Sequence, residues 1–253
     1  MQMNGNDRER GNFENSSNDW KDANMNGISD SKLIHGEAMM RLGFIRKVYG
    51  ILSIQLLITF FFCCLSVISP GWGKFQLEHT ALMWLCVIGS IIICIALVCF
   101  RDLARKVPLN YILLLIFTVL EAYLVSTICV TTKPRIVLMA AAMTCGITFS
   151  LTLYAWTTKT DFTVFGALFF ILSCSMLLFG LFLIFTNNPF LHVLYSTCGV
   201  LLYSFYLIYD TQLIVGNHEN KLEIDDYIIG ALMLYLDIIN LFLYLVRLLK
   251  STD

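Results

Sequence analysis

The chain has 253 residues, 58% of them hydrophobic and only 14% charged, with a mean hydropathy of +0.74. A water-soluble domain carries about a quarter charged residues, so this composition excludes a disordered chain and argues against a soluble enzyme domain. The formal net charge of −1 supplies no basic field to recruit nucleic acid. The solvent it suits is a lipid bilayer.

In chain order, the first feature is a polar tail with seven asparagines among its first thirty residues. Such a segment cannot bury enough apolar surface to offset its ordering entropy, and it lacks the apolar core of a signal peptide. Residues 1–37 are therefore predicted to be a disordered cytosolic tail, and residues 38–250 a seven-helix membrane domain. Ala38 to Lys47 reads as a short amphipathic helix at the membrane surface, with Arg41, Arg46 and Lys47 toward water.

From Val48 onward come apolar runs, each near the roughly 20 residues that carry a helix across hydrocarbon. They are Val48–Ser69, Thr80–Phe100, Leu109–Thr131, Ile136–Trp156, Phe162–Phe185, His192–Gly216 and Tyr227–Leu245. Turn residues such as Ser69-Pro70-Gly71-Trp72-Gly73 and Asn187-Asn188-Pro189 punctuate them. The runs show no period-two alternation, which argues against a membrane barrel. The predicted fold is an all-α polytopic membrane protein with seven spans.

With the N-terminus cytosolic, that side holds Lys32, Arg41, Arg46, Lys47, Arg101, Arg105, Lys106, Lys159 and Lys221. The other side holds Lys74, Lys133, Arg135, Arg247 and Lys250. The excess of cations favours this orientation. Arg247 and Lys250 pull against it, so the last span reads either as complete or as short and re-entrant.

Inside the spans there is no lysine or arginine, but there are three acids: Glu121 in the third, Asp210 in the sixth and Asp237 in the seventh. An ionisable group at membrane depth costs a few kcal/mol or more and ordinarily marks an ion path, a proton relay or a catalytic pair. At 1.5 Å per residue, Asp210 lies about 9 Å from one end of its span, Asp237 about 15 Å and Glu121 roughly 18 Å. The first two can face each other, with Glu121 near the same layer. A polar stripe supports the meeting: Ser196, Gly199, Tyr203, Tyr206 and Asp210 share one face of span six, and Gly230, Met233, Asp237, Asn240 and Tyr244 one face of span seven. Two carboxyls together in a low dielectric cannot both ionise cheaply. They can share a proton in acid, and as pH rises either separate or accept a hard cation such as Ca²⁺. A protonated Asp locked to Tyr or Asn across the helices is the structural alternative.

The remaining chemistry is sparse. All nine cysteines lie in apolar stretches, without CxxC or zinc spacing, and read as packing residues. His35, His79, His192 and His218 fall at tail, loop or span-end positions. Ala140, Thr144, Thr148 and Thr152 form a small-residue ridge suited to close helix packing. Glu219, Glu223, Asp225 and Asp226 read as a solvated loop, since they lack the spacing of a calcium-binding EF-hand.

Tyr209-Asp210-Thr211-Gln212-Leu213 and Leu234-Tyr235-Leu236-Asp237-Ile238-Ile239-Asn240-Leu241-Phe242-Leu243-Tyr244 resemble the signature of the Bax-inhibitor-motif membrane family, and within it the Lifeguard branch. Ile45-Arg46-Lys47-Val48-Tyr49, Arg105-Lys106-Val107-Pro108 and Lys159-Thr160-Asp161-Phe162-Thr163 extend the resemblance over about residues 38 to 249. The resemblance implies a seven-helix bundle of the Bax-inhibitor type in intracellular membranes, endoplasmic reticulum or Golgi. It also implies a pH-sensitive calcium leak and suppression of apoptosis. Asp210 and Asp237 match the family's pH sensor and gate, with calcium as permeant and transient metal ligand and no cofactor. An arginine latch falls on Arg101 or Arg105, and Glu121, Tyr203, Tyr206 and Asn240 are candidates for the ion path. Bcl-2-type or death-receptor membrane proteins are the partners expected of a non-conducting scaffold, the alternative to a leak. An intramembrane aspartyl protease is disfavoured. It requires Gly-x-Gly-Asp at the second acid, and here Leu234 and Leu236 occupy the places of the glycines. No enzymatic activity is expected.

Overall fold

A computed structural model of the chain describes residues 35–216 and 220–251 with their side chains. The described residues are helical, without a strand. The helices are α1 (Gly5–Ile68, described from His35 onward), α2 (Pro70–Glu78), α3 (Thr80–Cys99), α4 (Arg101–Arg105), α5 (Leu109–Val130), α6 (Pro134–Thr157), α7 (Gly166–Leu183), α8 (Pro189–Val215) and α9 (Tyr227–Thr252). The tail predicted to be disordered lies, up to Ile34, outside the described residues.

Among the described residues, seven helices are long and apolar enough to cross a membrane: His35–Ile68, Thr80–Cys99, Leu109–Val130, Pro134–Thr157, Thr163–Leu183, Pro189–Val215 and Tyr227–Ser251. The chain is an all-α, polytopic membrane protein. The last span is neither short nor re-entrant, because α9 runs unbroken for 26 residues. At 1.5 Å per residue it is about 39 Å long against roughly 30 Å of hydrocarbon. That surplus length allows Arg247 and Lys250, near one end of the helix, to reach the edge of the apolar layer, where a cation is cheap.

Two short helices replace expected loops. The Ser69–Gly73 segment opens α2, with Pro70 in the first turn, where its missing N–H costs nothing. Gly73 lets α2 lie close to its neighbours: a Cβ there would stand 3.3 Å from a Val130 methyl and 3.4 Å from the Ser66 carbonyl oxygen. Gln76, 1% exposed, then ties three helices by accepting from Ser66 Oγ and donating to Ser126 Oγ, both at 2.8 Å.

The chain divides into two compact units, one up to Gly43 and one from Phe44 to the end. In the second, α9 forms the centre and α7 the periphery: 72% of the apolar window of α9 is buried, but 6% of that of the α7 span. Ile228, Ala231, Leu232, Leu234, Tyr235, Leu241 and Leu245 of α9 are almost fully enclosed by Val48 and Leu52 of α1, Leu114, Phe117 and Val125 of α5, and Leu207 and Ile214 of α8. The exposed side chains of α3, α6 and α7 are large and apolar, as lipid-facing surfaces must be.

Candidate functional site: a buried carboxyl pair

Helices α8 and α9 make an extensive contact, and small residues allow it. A Cβ on Gly199 would fall within 2.6 Å of Tyr244 Cγ, so only glycine admits the Tyr244 ring at this crossing. Tyr244 stacks on Tyr203 at 5.6 Å between centroids, and its hydroxyl donates to Tyr195 Oη at 3.0 Å. At one end, α8 stops at Gly216, whose φ of 73° only glycine adopts freely and whose N–H bonds to Gln212 O.

The two aspartates meet in this seam. Asp210 and Asp237 are each 4% exposed, and their carboxyls lie within interaction range of each other. A bond between two carboxyl groups requires a proton on at least one, since both are otherwise acceptors only. Asp210 Oδ1 and Asp237 Oδ2 are buried without a hydrogen-bond partner. The groups facing the pair are tyrosines: Tyr203 is in electrostatic range of Asp237, Tyr206 of both acids and Tyr209 of Asp210. Phe169 of α7 packs on the Tyr206 and Tyr209 rings at 5.5 and 5.4 Å, and Ser173 shares a 2.8 Å hydrogen bond with Tyr206 Oη.

The other candidates separate. Glu121 faces α3, beside Ser90 and Cys94, within electrostatic range of Tyr235. Asn240 lies about one turn beyond Asp237 and donates to Leu236 O of its own helix at 2.8 Å. Between the two latch candidates the geometry points to Arg105. Its Nε donates to Asp226 Oδ1 at 2.7 Å and its Nη2 to Glu223 Oε2 at 2.6 Å, while Arg101 is exposed. These bonds, Asp226 first, hold the guanidinium above its already high ordinary range. Arg105 thus grips the loop that leads into α9, not the aspartate pair.

Of the acidic loop read as solvated, Glu223 and Asp225 are exposed as expected, and Asp226, 1% exposed, is the residue that departs from that reading. His218 and Glu219 lie outside the described residues. A second brace on the same loop system went unread in the sequence. Gln212 receives Phe162 N–H at 2.8 Å and donates to Thr160 O at 2.9 Å, while Asn220 Nδ2 donates to Thr163 O at 3.2 Å. Gln212 belongs to the Tyr-Asp-Thr-Gln motif, which was the available signal. Among the described residues no group of three or more His, Cys, Asp or Glu side chains is placed to hold a metal ion.

The family model described as "Inhibitor of apoptosis-promoting Bax1" matches residues 41–253. The chain belongs to this Bax-inhibitor family. It is similar to Protein lifeguard 3 of Mus musculus, 32% identical over 218 residues covering 85% of this chain and 71% of that protein. It is also similar to the BI1-like protein of Arabidopsis thaliana, 36% identical with 87% and 85% covered, and to Protein lifeguard 4 of Mus musculus, 34% identical with 85% and 87% covered. The carboxyl pair and the Arg105 brace both lie within the residues that match the family model.

Proposed function

We propose that the chain is a pH-sensitive calcium leak pathway of intracellular membranes, endoplasmic reticulum or Golgi, that restrains apoptosis and is gated by Asp210 and Asp237. The observation that carries this reading is the meeting of two buried carboxyls that have no basic partner among the described residues. A proton shared between them makes the α8–α9 contact attractive. As pH rises and that proton leaves, two anions face each other in a low dielectric and the same contact becomes repulsive. The unpartnered oxygens on both acids then become hard ligands that suit Ca²⁺, which completes its shell with water. The polar faces of Tyr203 and Tyr206 border the route. The family description supports the link to apoptosis. The lysine and arginine distribution supports a cytosolic N-terminus.

The test is Ca²⁺ flux in proteoliposomes across about pH 6 to 8, the window in which a shared carboxyl pair titrates. The comparison is wild type against Asp210→Asn and Asp237→Asn. The proposal expects a pH-dependent wild-type leak whose profile both variants flatten or displace. Folded wild type that passes no Ca²⁺ at any pH sinks it. The carboxyls are then locking contacts in a non-conducting scaffold for Bcl-2-type or death-receptor partners.

A further inference from the structure

At the end of the bundle opposite Arg105, the ends of α5, α8 and α9 enclose a cavity of about 400 Å³. Two of its lining residues are cations, Arg247 and Lys250; Tyr195, Tyr244 and Asn240 add polar groups, and no acid lines it. The Arg247 guanidinium lies over the Tyr195 ring, 5.3 Å from the centroid, and has no carboxylate partner among the described residues. The ring face holds the cation without consuming its N–H donors, which remain at the guanidinium edge. Lys250 Nζ spends one donor on Thr131 O at 3.2 Å and keeps two. Among the described residues, the cavity therefore carries positive charge from Arg247 and Lys250 that no carboxylate faces.

Depth identifies the counter-charge. The surplus length of α9 allows Arg247 and Lys250 to reach the edge of the hydrocarbon, next to the layer where lipid phosphates lie. Ile128, Leu243 and Val246 complete the cavity wall with apolar surface, which a free inorganic anion does not need. We infer that this cavity binds an anionic phospholipid, its phosphate held by Arg247 and Lys250 and its glycerol and upper acyl carbons laid against Ile128 and Leu243. A guanidinium with an ammonium supplies charge-assisted hydrogen bonds to phosphate oxygens. The site is independent of proton sharing by Asp210 and Asp237. It touches their seam only through Tyr244, which lines the cavity and also stacks on Tyr203.

The experiment is native mass spectrometry of the full chain in detergent, titrated with dioleoylphosphatidylglycerol, dioleoylphosphatidylcholine or inorganic phosphate. The expected result is a saturable single phosphatidylglycerol adduct with a dissociation constant at least about tenfold below that for phosphatidylcholine. Arg247→Gln and Lys250→Gln should each weaken it by about tenfold, while Arg135→Gln, outside the cavity, should not. Equal affinity for the two lipids overturns the inference on wild type alone, whether or not the variants fold. Displacement by equimolar inorganic phosphate overturns it in favour of a free-anion site. An Arg135→Gln effect as large as that of Arg247→Gln overturns it in favour of diffuse surface charge. Melting temperature and helical signal verify each variant, and Arg247→Lys, which keeps the charge, should retain part of the affinity.

Discussion

Replacing Gly199 with alanine tests whether the seam that holds the carboxyl pair depends on one missing Cβ. The new methyl would lie within 2.6 Å of Tyr244 Cγ. The Tyr244 ring is not free to retreat, being stacked on Tyr203 and bonded through its hydroxyl to Tyr195. Overpacking of this kind costs about 1–3 kcal/mol, and loss of the Tyr244–Tyr195 bond about 1 kcal/mol more. Alanine returns about 1 kcal/mol of helix propensity over glycine. The net destabilisation is therefore about 1–3 kcal/mol, a fall in melting temperature of about 2–12 °C for a domain of this size. Thermal unfolding in detergent reads it, and a double-mutant cycle assigns it. In a Tyr244→Ala background the clash is gone, so Gly199→Ala should be neutral or stabilising by up to about 1 kcal/mol. If Gly199→Ala costs the same in both backgrounds, within about 0.5 kcal/mol, the ring contact is not what limits the approach of α8 and α9.

Arg105→Gln removes both ion pairs and leaves the buried Asp226 carboxylate without its cation; amide exchange over residues 220–226 should accelerate by about tenfold or more, and an unchanged rate would show that the loop is held by other contacts. Gln76→Leu strands the Ser66 hydroxyl, while Ser126 keeps its bond to Tyr123 O, and should cost about 1–3 kcal/mol by thermal unfolding; adding Ser66→Ala should recover most of it. Cys63 and Cys129 place their sulfurs 3.7 Å apart between α1 and α5. Mild oxidation should join them within one chain, seen as an intact mass lighter by two hydrogens and abolished by Cys63→Ser.

The spans were legible because bilayer thickness acts on every residue of a helix at once, so apolar run length alone locates them. The acids were legible for the same reason: charge at membrane depth is rare enough to stand out, and 3.6-residue periodicity aligns Asp210 and Asp237 on facing stripes. Depth is a one-dimensional coordinate, however, and it left the direction of Glu121 open. At a similar level it points across the bundle to Ser90 and Cys94, because azimuth depends on which helices are neighbours. Arg105 was half-legible. Resemblance offered it with Arg101 as a latch candidate, but its partners stand 118 and 121 residues away in a segment that read as solvent-exposed. The α2 helix was hidden by Pro70, Gly71 and Gly73, residues that mark turns in water and here start a helix and let it pack closely. The end of α9 was misjudged because Arg247 and Lys250 were counted against a span, although a helix of this length allows them to reach the edge of the hydrocarbon.

The two contacts that hold the Asp210 side of the bundle differ in how solvent acts on them, and this separates their roles. The Arg105 brace joins charged groups with side-chain exposures of 32% for Arg105 and 64% for Glu223, so salt screens it. The carboxyl pair is enclosed and depends on a proton, so salt at constant pH leaves it nearly untouched while pH acts on it directly. A leak limited by the brace rises with ionic strength and is made salt-insensitive by Arg105→Gln. A leak limited by the pair keeps its pH profile in Arg105→Gln and loses it in Asp237→Asn. Flux measured over both variables assigns the barrier to one contact or the other. Should a single contact limit flux, the second variant alters loop stability without altering permeation, because only the limiting contact must break for an ion to pass.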